Sequence, residues 1–332
     1  MPELRKDPVV GRWVIVAFER AARPSDFRTK REPPPDPGNC PFDPGREAMT
    51  PSEVFAIRPD GSLPNTPGWV TRVVPNRFPA LRVEGELERR GEGIYDRMTG
   101  VGAHEVIIET PEHNLDLADL DEAGFLNVVR AWTQRVIDLA RDPRLKYALV
   151  FKNSGRTAGA SLRHSHSQLI ATPIVPQQVK EEIAGGRRYW DFRERCIFCD
   201  LLAQETQDGR RIIAENDHFI TYAPYASRFA FETCIVARRH LGSLGELSDA
   251  EALGLARALR DVLQRMTKLL DRPDYNFMVH NAPLDGGQLN HYHFHVEIMP
   301  RETTIAGFEW GSGFFINPVP PEAAAKYLRE VV

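Results

Sequence analysis

The sequence predicts an α+β protein made of two related halves, with antiparallel sheets and helices packed on one sheet face. Two observations lead to this fold class. Polar anchor residues recur at a constant register, and each half shows apolar patterns in the order strand, helix, strand, strand. That order favours antiparallel strands with a helix across one face. We expect the halves to span residues 1–180 and 181–332.

The repeat is clearest in the histidine spacing. His113 precedes His164 by 51 residues (164 − 113), and His240 precedes His291 by the same number (291 − 240). The two halves are therefore related by a shift of 127 residues. A fixed period of this kind indicates internal duplication. Four further pairs keep the register: Glu105 with Glu232, Leu120 with Leu247, Ala123 with Ala250, and His166 with His293.

Each half begins with an apolar strand followed by a long helix. The strands are predicted at 106–110 and 234–237. The first helix is predicted at about 121–141, where apolar residues recur at helical spacing. The second starts at Ser248, because Ser248 and Glu251 form the S-x-x-E pattern of a capping box.

Two strands then complete each half. The first members of these pairs are predicted at 146–152 and 275–279, and the second members at 164–171 and 291–299. Glycine-containing turns separate them. The Pro-rich stretch 33–37 and the pair Gly185-Gly186 are predicted to lie in loops that border the two halves.

Composition and charge exclude several classes of protein. Hydrophobic residues at 42% and charged residues at 27% are typical of a globular chain. The apolar runs are far shorter than the roughly 20 residues that span a bilayer, so we expect no membrane segment. The N-terminus does not resemble a signal peptide, which predicts a cytoplasmic location. A net charge of −4 gives no reason to expect nucleic-acid binding.

The four cysteines favour metal binding over a disulfide framework. Cys196-x-x-Cys199, His240 and His291 together supply two thiolates and two imidazoles. This is the ligand set of a structural zinc site. The alternative is a pair of buried thiols beside two unrelated histidines.

A second candidate zinc site lies in the first half. Cys40, Asp43, His113 and His164 would form it, with a carboxylate where a second thiolate is expected. Carboxylate is an accepted but less common zinc ligand. A metal-free, hydrogen-bonded cluster is the alternative.

The segment His164-Ser165-His166-Ser167-Gln168 is the candidate catalytic element. On a strand, residues 164, 166 and 168 share one face. If His164 binds metal, His166 remains free as a nucleophile, and neutral imidazole attacks phosphorus well near pH 7. Ser161, Arg163 and Gln168 can donate hydrogen bonds to phosphoryl oxygens.

A second histidine cluster, His291-Tyr292-His293-Phe294-His295, is a competing candidate by motif alone. We favour the first copy, because bulky residues flank His293 and no glutamine follows two residues after it. The second copy is interpreted as a structural descendant of the repeat. His280, His295 and Glu297 are interpreted as a further metal site or a core cluster.

At these residues the chain resembles the galactose-1-phosphate uridylyltransferases of the histidine-triad superfamily. The resemblance covers nearly the whole chain and implies duplicated histidine-triad units, with His166 as the uridylylated residue. It implies that UDP-glucose and a hexose 1-phosphate are the substrates, and that the enzyme is a homodimer with active sites built from both subunits. The family positions that contact phosphate, sugar or nucleotide correspond to Asn76, Asn153, Gly159, Ser161, Gln168 and Glu309.

Four departures from the family pattern bear on specificity. Ser165 replaces a proline, Asp43 a cysteine, Arg77 an aspartate, and Phe315 a glutamine that meets the hexose. The motifs also resemble a sister branch with ADP-glucose phosphorylases, in which inorganic phosphate is the acceptor. Two further alternatives are a histidine-triad hydrolase that uses water and a zinc-stabilised nucleotide-binding module without chemistry.

Overall fold

The computed structural model describes residues 1–18, 23–27, 38–287 and 289–331. The Pro-rich stretch 33–37, which we predict to be a loop, lies outside these ranges. In the described part of the chain the helices are α1 (Glu122–Leu139), α2 (Gln177–Arg193), α3 (Ile197–Asp208), α4 (Asp249–Leu270), α5 (Gly307–Ser312) and α6 (Pro321–Glu330). The strands are β1 (Glu3–Lys6), β2 (Trp13–Val16), β3 (Phe55–Ile57), β4 (Thr71–Pro75), β5 (Arg89–Glu92), β6 (Tyr95–Met98), β7 (Ala103–Ile108), β8 (Tyr147–Ser154), β9 (His166–Thr172), β10 (Ile212–Glu215), β11 (Phe219–Tyr222), β12 (Thr233–Ala237), β13 (Tyr275–His280), β14 (His295–Pro300) and β15 (Phe315–Asn317).

One ten-stranded sheet runs through both halves. Its order is β10-β11-β12-β14-β13-β8-β9-β7-β4-β3, and every neighbouring pair is antiparallel. Each half contributes five strands, and the order of one half mirrors that of the other. The halves meet where β8 pairs with β13. This mirrored order confirms the predicted α+β class with duplicated antiparallel units.

The long helices α1 and α4 cover one face of this sheet, as predicted. Apolar side chains of both helices and of both half-sheets form a single core. Trp132 of α1 meets Phe277 of β13 edge to face, with ring centroids 5.4 Å apart. Because core residues of one half pack on those of the other, the halves share their main source of hydrophobic stabilisation.

Both helices begin where the sequence places them. Asp121 caps α1, and its carboxylate accepts a hydrogen bond from the Gly124 N–H at 2.7 Å. Ser248 caps α4, where the predicted capping box with Glu251 is formed. Such caps satisfy N–H groups that have no partner within the helix.

A smaller sheet joins the two chain ends. β1 and β2 are antiparallel, and β15 pairs with β2 in parallel. Arg5 of β1 donates a hydrogen bond to Glu322 of α6 at 2.9 Å. The N-terminal arm therefore packs on the C-terminal half. The division expected between residues 180 and 181 falls within α2.

The expectation that Gly185-Gly186 forms a loop is wrong, because both residues lie inside α2. Any side chain there would overlap backbone atoms, of Val9 at position 185 and of His291 at position 186. Glycine is needed at these positions for close packing of backbones. It does not end the helix.

Two predicted strands begin later than expected. The strand predicted at 164–171 starts at His166, and the one predicted at 291–299 starts at His295. His164 therefore lies in the loop before β9. None of the described helices is both long and apolar enough to cross a membrane.

Candidate active site and metal clusters

His166 is the first residue of β9, and its side chain lies on the sheet face that the long helices leave uncovered. The next residue, Ser167, points to the other face, where its hydroxyl accepts a hydrogen bond from the Trp132 indole of α1 at 2.8 Å. Because side chains alternate along a strand, His166 must face away from α1. It is 7% exposed and packs beside Phe42, with ring centroids 5.4 Å apart.

The orientation of the His166 imidazole leaves one nitrogen available. Nδ1 lies 2.8 Å from the backbone carbonyl oxygen of His164, and a carbonyl can only accept. Nδ1 therefore carries the hydrogen, and Nε2 keeps its lone pair. Burial, reinforced by the charge of Lys152, lowers the pKa of His166 to about 4. The imidazole is thus neutral near pH 7, as a nucleophile requires.

The predicted donors around His166 lie on β8, β9 and the loop between them. Gln168 shares the His166 face of β9, while Ser161 and Arg163 are exposed in the loop. Gly159 in this loop has a φ of +90°, which favours glycine. Asn153 at the end of β8 accepts a hydrogen bond from Asn276 of β13 at 2.8 Å.

Two further predicted positions follow β4. Asn76 lies 3.2 Å from His104 of β7, measured from Nδ2 to Nε2. Arg77 is exposed, and its guanidinium lies 5.8 Å from the centroid of the Phe78 ring. His104 Nε2 also lies 2.8 Å from Oε1 of the Gln168 side-chain amide. Asn76 and Gln168 thus contact the same histidine.

Glu309 and Phe315 make other contacts within this chain. Glu309 is half-buried and accepts a hydrogen bond from the Ala306 N–H at the start of α5. The Phe315 ring packs against Phe229 at 5.5 Å. Neither of these contacts involves a residue of the His166 site.

The first predicted metal cluster is assembled as expected. One ligand atom from each of Cys40, Asp43, His113 and His164 lies within 4.8 Å of the others. The Asp43 carboxylate is 2.8 Å from His113 Nδ1 and 3.1 Å from His164 Nδ1. His164 Nε2 lies 2.7 Å from the Thr110 carbonyl, so it donates there, and Nδ1 faces the cluster with a lone pair that can bind a metal ion.

The second cluster differs from the prediction at one residue. Cys196, Cys199 and His240 lie together with His293, and not with His291. Cys199 Sγ is 3.5 Å from His240 Nδ1 and 3.6 Å from His293 Nδ1. Hydrogen bonds, chiefly from the Cys199 thiol, lower the pKa of the Cys196 thiol. A thiolate is the form that binds a metal ion.

Loop length explains the error at His291. His280 pairs with His295, and the register of β8 and β9 places Asn153 opposite His166 in the same way. His166 follows Asn153 by thirteen positions, whereas His295 follows His280 by fifteen. The 127-residue register thus ends at β13. His293 takes the place of His164, and His295 takes that of His166.

The second half fills the position that corresponds to the active site. His295 Nδ1 contacts the His293 carbonyl at 2.9 Å, as His166 contacts that of His164. However, His280 stacks on His295 with ring centroids 4.5 Å apart, and Phe198 stacks at 5.0 Å. Glu182 of α2 joins His280 and His295 in a third buried group able to hold a metal ion. Side chains of the second half therefore cover the second copy of the histidine motif.

Two sets of residues at the first site are not among those that the sequence predicts. The sequence motifs assign no role to His104, which contacts both Asn76 and Gln168. Lys152 and Glu109 form a buried ion pair next to Ser165. Alternation of side chains along β7 could have placed His104 near the site. The partners of Lys152 are distant in sequence and gave no signal.

Comparison with known proteins agrees with this geometry. The galactose-1-phosphate uridyl transferase N-terminal domain model matches residues 1–176, and the C-terminal domain model matches residues 182–331. The chain belongs to the galactose-1-phosphate uridyl transferase family. It is an enzyme of a family whose members transfer nucleotidyl groups.

Two curated relatives of the family align over almost the whole chain. ADP-glucose phosphorylase of Arabidopsis thaliana is 39% identical over 99% of this chain and 93% of its own. Galactose-1-phosphate uridylyltransferase of Thermotoga maritima is 31% identical over 99% of this chain and 98% of its own. Both branches expected from the motifs are thus represented.

Solved structures of the family share the fold. The Arabidopsis thaliana ADP-glucose phosphorylase with bound ADP-glucose has a TM-score of 0.84 and 35% identity, and the match covers 100% of this chain and 99% of that one. A uridylyltransferase structure has a TM-score of 0.79 and 26% identity, with 100% and 98% covered.

Proposed function

We propose that this enzyme moves a nucleoside monophosphate from an NDP-sugar to a second phosphate-bearing acceptor through covalent attachment to His166. The observation that carries this proposal is the orientation of the imidazole. Its Nδ1 hydrogen is held by the His164 carbonyl, so Nε2 presents a lone pair. A neutral imidazole held in this way can act as a nucleophile without an additional base.

The reaction is a double displacement. Nε2 of His166 attacks the α-phosphorus, and the bond from phosphorus to the oxygen of the sugar phosphate breaks, which releases sugar 1-phosphate. An oxygen of the acceptor phosphate then attacks the same phosphorus, and the bond to Nε2 breaks. The Nδ1 hydrogen stays on the ring throughout and stabilises the charge that develops there.

The residues around His166 have distinct proposed roles. Side-chain donors and the turn at Gly159 receive the phosphoryl oxygens, where negative charge must be stabilised. The proposed phosphate and sugar contacts are Asn153, Gly159, Ser161, Arg163 and Gln168. Asn76 and Arg77 are proposed to contact the nucleotide.

The first form of this activity is that of a UDP-glucose–hexose-1-phosphate uridylyltransferase. A second form, phosphorolysis of ADP-glucose, is favoured by a specific observation: the 39% identical relative is an ADP-glucose phosphorylase. The replacements at Ser165 and Phe315 favour the same branch.

We also propose a homodimer. Glu309 and Phe315 contact residues elsewhere in their own chain. In a dimer they would complete the site of the partner subunit, as the resemblance implies. Light scattering of the purified protein tests this assembly. We retain a cytoplasmic location and the two halves 1–180 and 181–332 as parts of the proposal.

Zn²⁺ is the proposed metal at both four-residue clusters. The mixture of thiolate and imidazole in each donor set fits zinc, and the carboxylate of Asp43 is compatible with it. Cys40, Asp43, His113 and His164 would hold one ion, and Cys196, Cys199, His240 and His293 the other. Zinc would supply structural stabilisation, because His164 and His293 each precede a strand of the sheet.

Mass spectrometry of the intact protein tests the proposal. The enzyme is incubated separately with UDP-glucose and ADP-glucose and kept under denaturing conditions that preserve a phosphoramidate. A uridylyl adduct supports the first form, and an adenylyl adduct the second. His166→Gly should form neither, whereas His218→Gln, at a half-buried histidine of the second half, should behave as wild type.

Full activity of His166→Gly, or an adduct mapped to another residue, would contradict the assignment. Release of free UMP or AMP without an acceptor would indicate a hydrolase. No adduct with either sugar nucleotide would favour a binding module.

A further inference from the structure

A half-buried histidine connects two proposed ligand-binding residues. His104 lies on β7, two strand positions from Val106, which pairs with Gln168. Its Nε2 is 2.8 Å from Gln168 Oε1 and 3.2 Å from Asn76 Nδ2. Its Nδ1 is 3.1 Å from the backbone N–H of Ala80. All of these contacts lie on the His166 face of the sheet.

The backbone contact decides which nitrogen of His104 carries the hydrogen. The Ala80 N–H can only donate, so Nδ1 accepts and has no hydrogen. Neutral imidazole then carries its hydrogen on Nε2. This tautomer also suits Gln168, because Nε2–H donates to the carbonyl oxygen Oε1. In the opposite tautomer both contacts would join groups of the same kind.

The same logic orients the two amides. Gln168 uses its oxygen toward His104, so its NH₂ group is directed away from that histidine. Asn76 Oδ1 accepts from the Phe78 N–H at 2.9 Å, which leaves Nδ2 beside His104. Two donors face each other there. The amide hydrogens of Asn76 therefore remain for another acceptor.

We propose that His104 is a positioning residue for nucleotidyl transfer. It holds the Gln168 amide so that the NH₂ group donates to an oxygen of the phosphoryl group transferred at His166. This inference rests on the proposed function. The role needs a fixed donor orientation, because a misdirected amide would present its oxygen to an anionic phosphate and repel it.

A purely structural role predicts a different outcome. If His104 only stabilised the loop after β4, its loss would lower the melting temperature without acting through Gln168. If it acts through Gln168, removing both side chains should cost no more than removing Gln168 alone.

The test is a double-variant cycle on the first half-reaction. Single-turnover formation of the nucleotidyl adduct is measured for wild type, His104→Phe, Gln168→Ala and the double variant, with whichever sugar nucleotide labels the wild type. We expect His104→Phe to slow adduct formation by roughly 10- to 100-fold. The double variant should match Gln168→Ala.

Two further variants serve as a test of partial recovery and as a control. His104→Gln places an amide N–H near the position of imidazole Nε2–H, so it should recover part of the lost rate. His218→Phe removes a half-buried imidazole from the second half and should leave the rate unchanged. Melting temperatures measured in parallel show whether each variant is folded at the assay temperature.

The outcomes separate the two proposals. Multiplicative losses in the double variant, or a wild-type rate in His104→Phe, overturn the positioning role alone. Absence of an adduct in the wild type overturns the proposed function and this inference with it.

Discussion

At the scale of single residues, the loop that leads to His166 is supported by a buried ion pair. The Lys152 ammonium donates to Glu109 Oε2 at 2.7 Å, Ser165 Oγ at 3.1 Å and the His166 carbonyl at 2.9 Å. Its three hydrogens thus have three acceptors. Ser165, which replaces a proline of the family pattern, donates in turn to Glu109 at 2.6 Å. The serine gives this loop a polar support that proline could not provide.

Removing one member of this pair should be strongly destabilising. Lys152→Met leaves Glu109 as a buried charge without its cation, and we expect a loss of about 3–5 kcal/mol in the free energy of unfolding. Urea unfolding measures it. Lys152→Met combined with Glu109→Leu should recover part of this loss, because no charge then remains buried. A cost below about 1 kcal/mol for the single variant would show that water reaches the pair.

The finding that His293, and not the predicted His291, belongs to the cysteine-rich cluster can also be tested at this scale. His293→Ala should remove one equivalent of bound metal, because it takes away a ligand of the cysteine-rich cluster. His291→Ala, two residues earlier in the same loop, is the matched control and should keep its metal content. Elemental analysis of the purified variants provides the measurement. Equal metal loss in both would contradict the geometry of the cluster.

At the scale of elements, the start of α4 depends on a charged cap. Glu251 accepts hydrogen bonds from Arg239 at 2.6 Å and from the Ser248 N–H at 2.9 Å. These bonds, led by the one from Arg239, lower the pKa of Glu251 from 4.5 to about 2. The folded state therefore binds this proton more weakly than the unfolded state does. The stabilisation is complete above pH 4.5 and disappears as the pH falls toward 2.

Glu251→Gln should abolish that pH-dependent contribution. We expect a loss of about 1 kcal/mol near pH 7, typical of a helix cap, and a smaller difference from wild type as the pH falls below 4.5. Chemical unfolding at several pH values measures it. Asp249→Asn removes an exposed charge from the same turn and should change stability less. A constant difference between wild type and Glu251→Gln at all pH values would contradict the assignment.

At the scale of the whole molecule, the two halves are joined by a continuous sheet and a shared core. β8 and β13 pair across the seam, and Asn276 of β13 donates to Asn153 of β8 and to the Ala158 carbonyl at 2.9 Å. The second half thus holds the loop that leads to His166. Its own copy of the motif is occupied by stacked rings. Of the two copies of the motif, the first keeps the candidate active site and the second has a supporting structural role.

This sharing predicts cooperative unfolding. Phe277 is fully buried at the seam, and Phe277→Ala should cost about 3–5 kcal/mol through lost burial and a cavity. Calorimetry should show a single unfolding transition for wild type and a single transition for the variant. The whole transition of the variant should lie at a lower temperature. Phe192→Ala removes an exposed ring of α2 and serves as the control. Two separate transitions, with only one of them shifted, would show that the halves fold independently.

Local sequence patterns determined much of the fold and of the candidate site. The capping box of Ser248 and Glu251 marked the start of α4, since a cap acts on N–H groups within one turn, and apolar periodicity marked α1. Apolar periodicity indicated the central strands. Spacing alone assembled Cys40, Asp43, His113 and His164, and it separated His166 from the metal ligands.

Only the tertiary structure decided features that depend on distant partners. His293 replaced His291 because a loop two residues longer shifts the register, which no local pattern reveals. His104 meets Gln168 across 64 positions, and Lys152 meets Glu109 across 43. Gly185 and Gly186 lie within α2, where glycine is needed because the backbones of Val9 and His291 pack against it. In each case the deciding contact joins residues that are far apart in the sequence, so it forms only when the chain has folded and no local pattern reveals it.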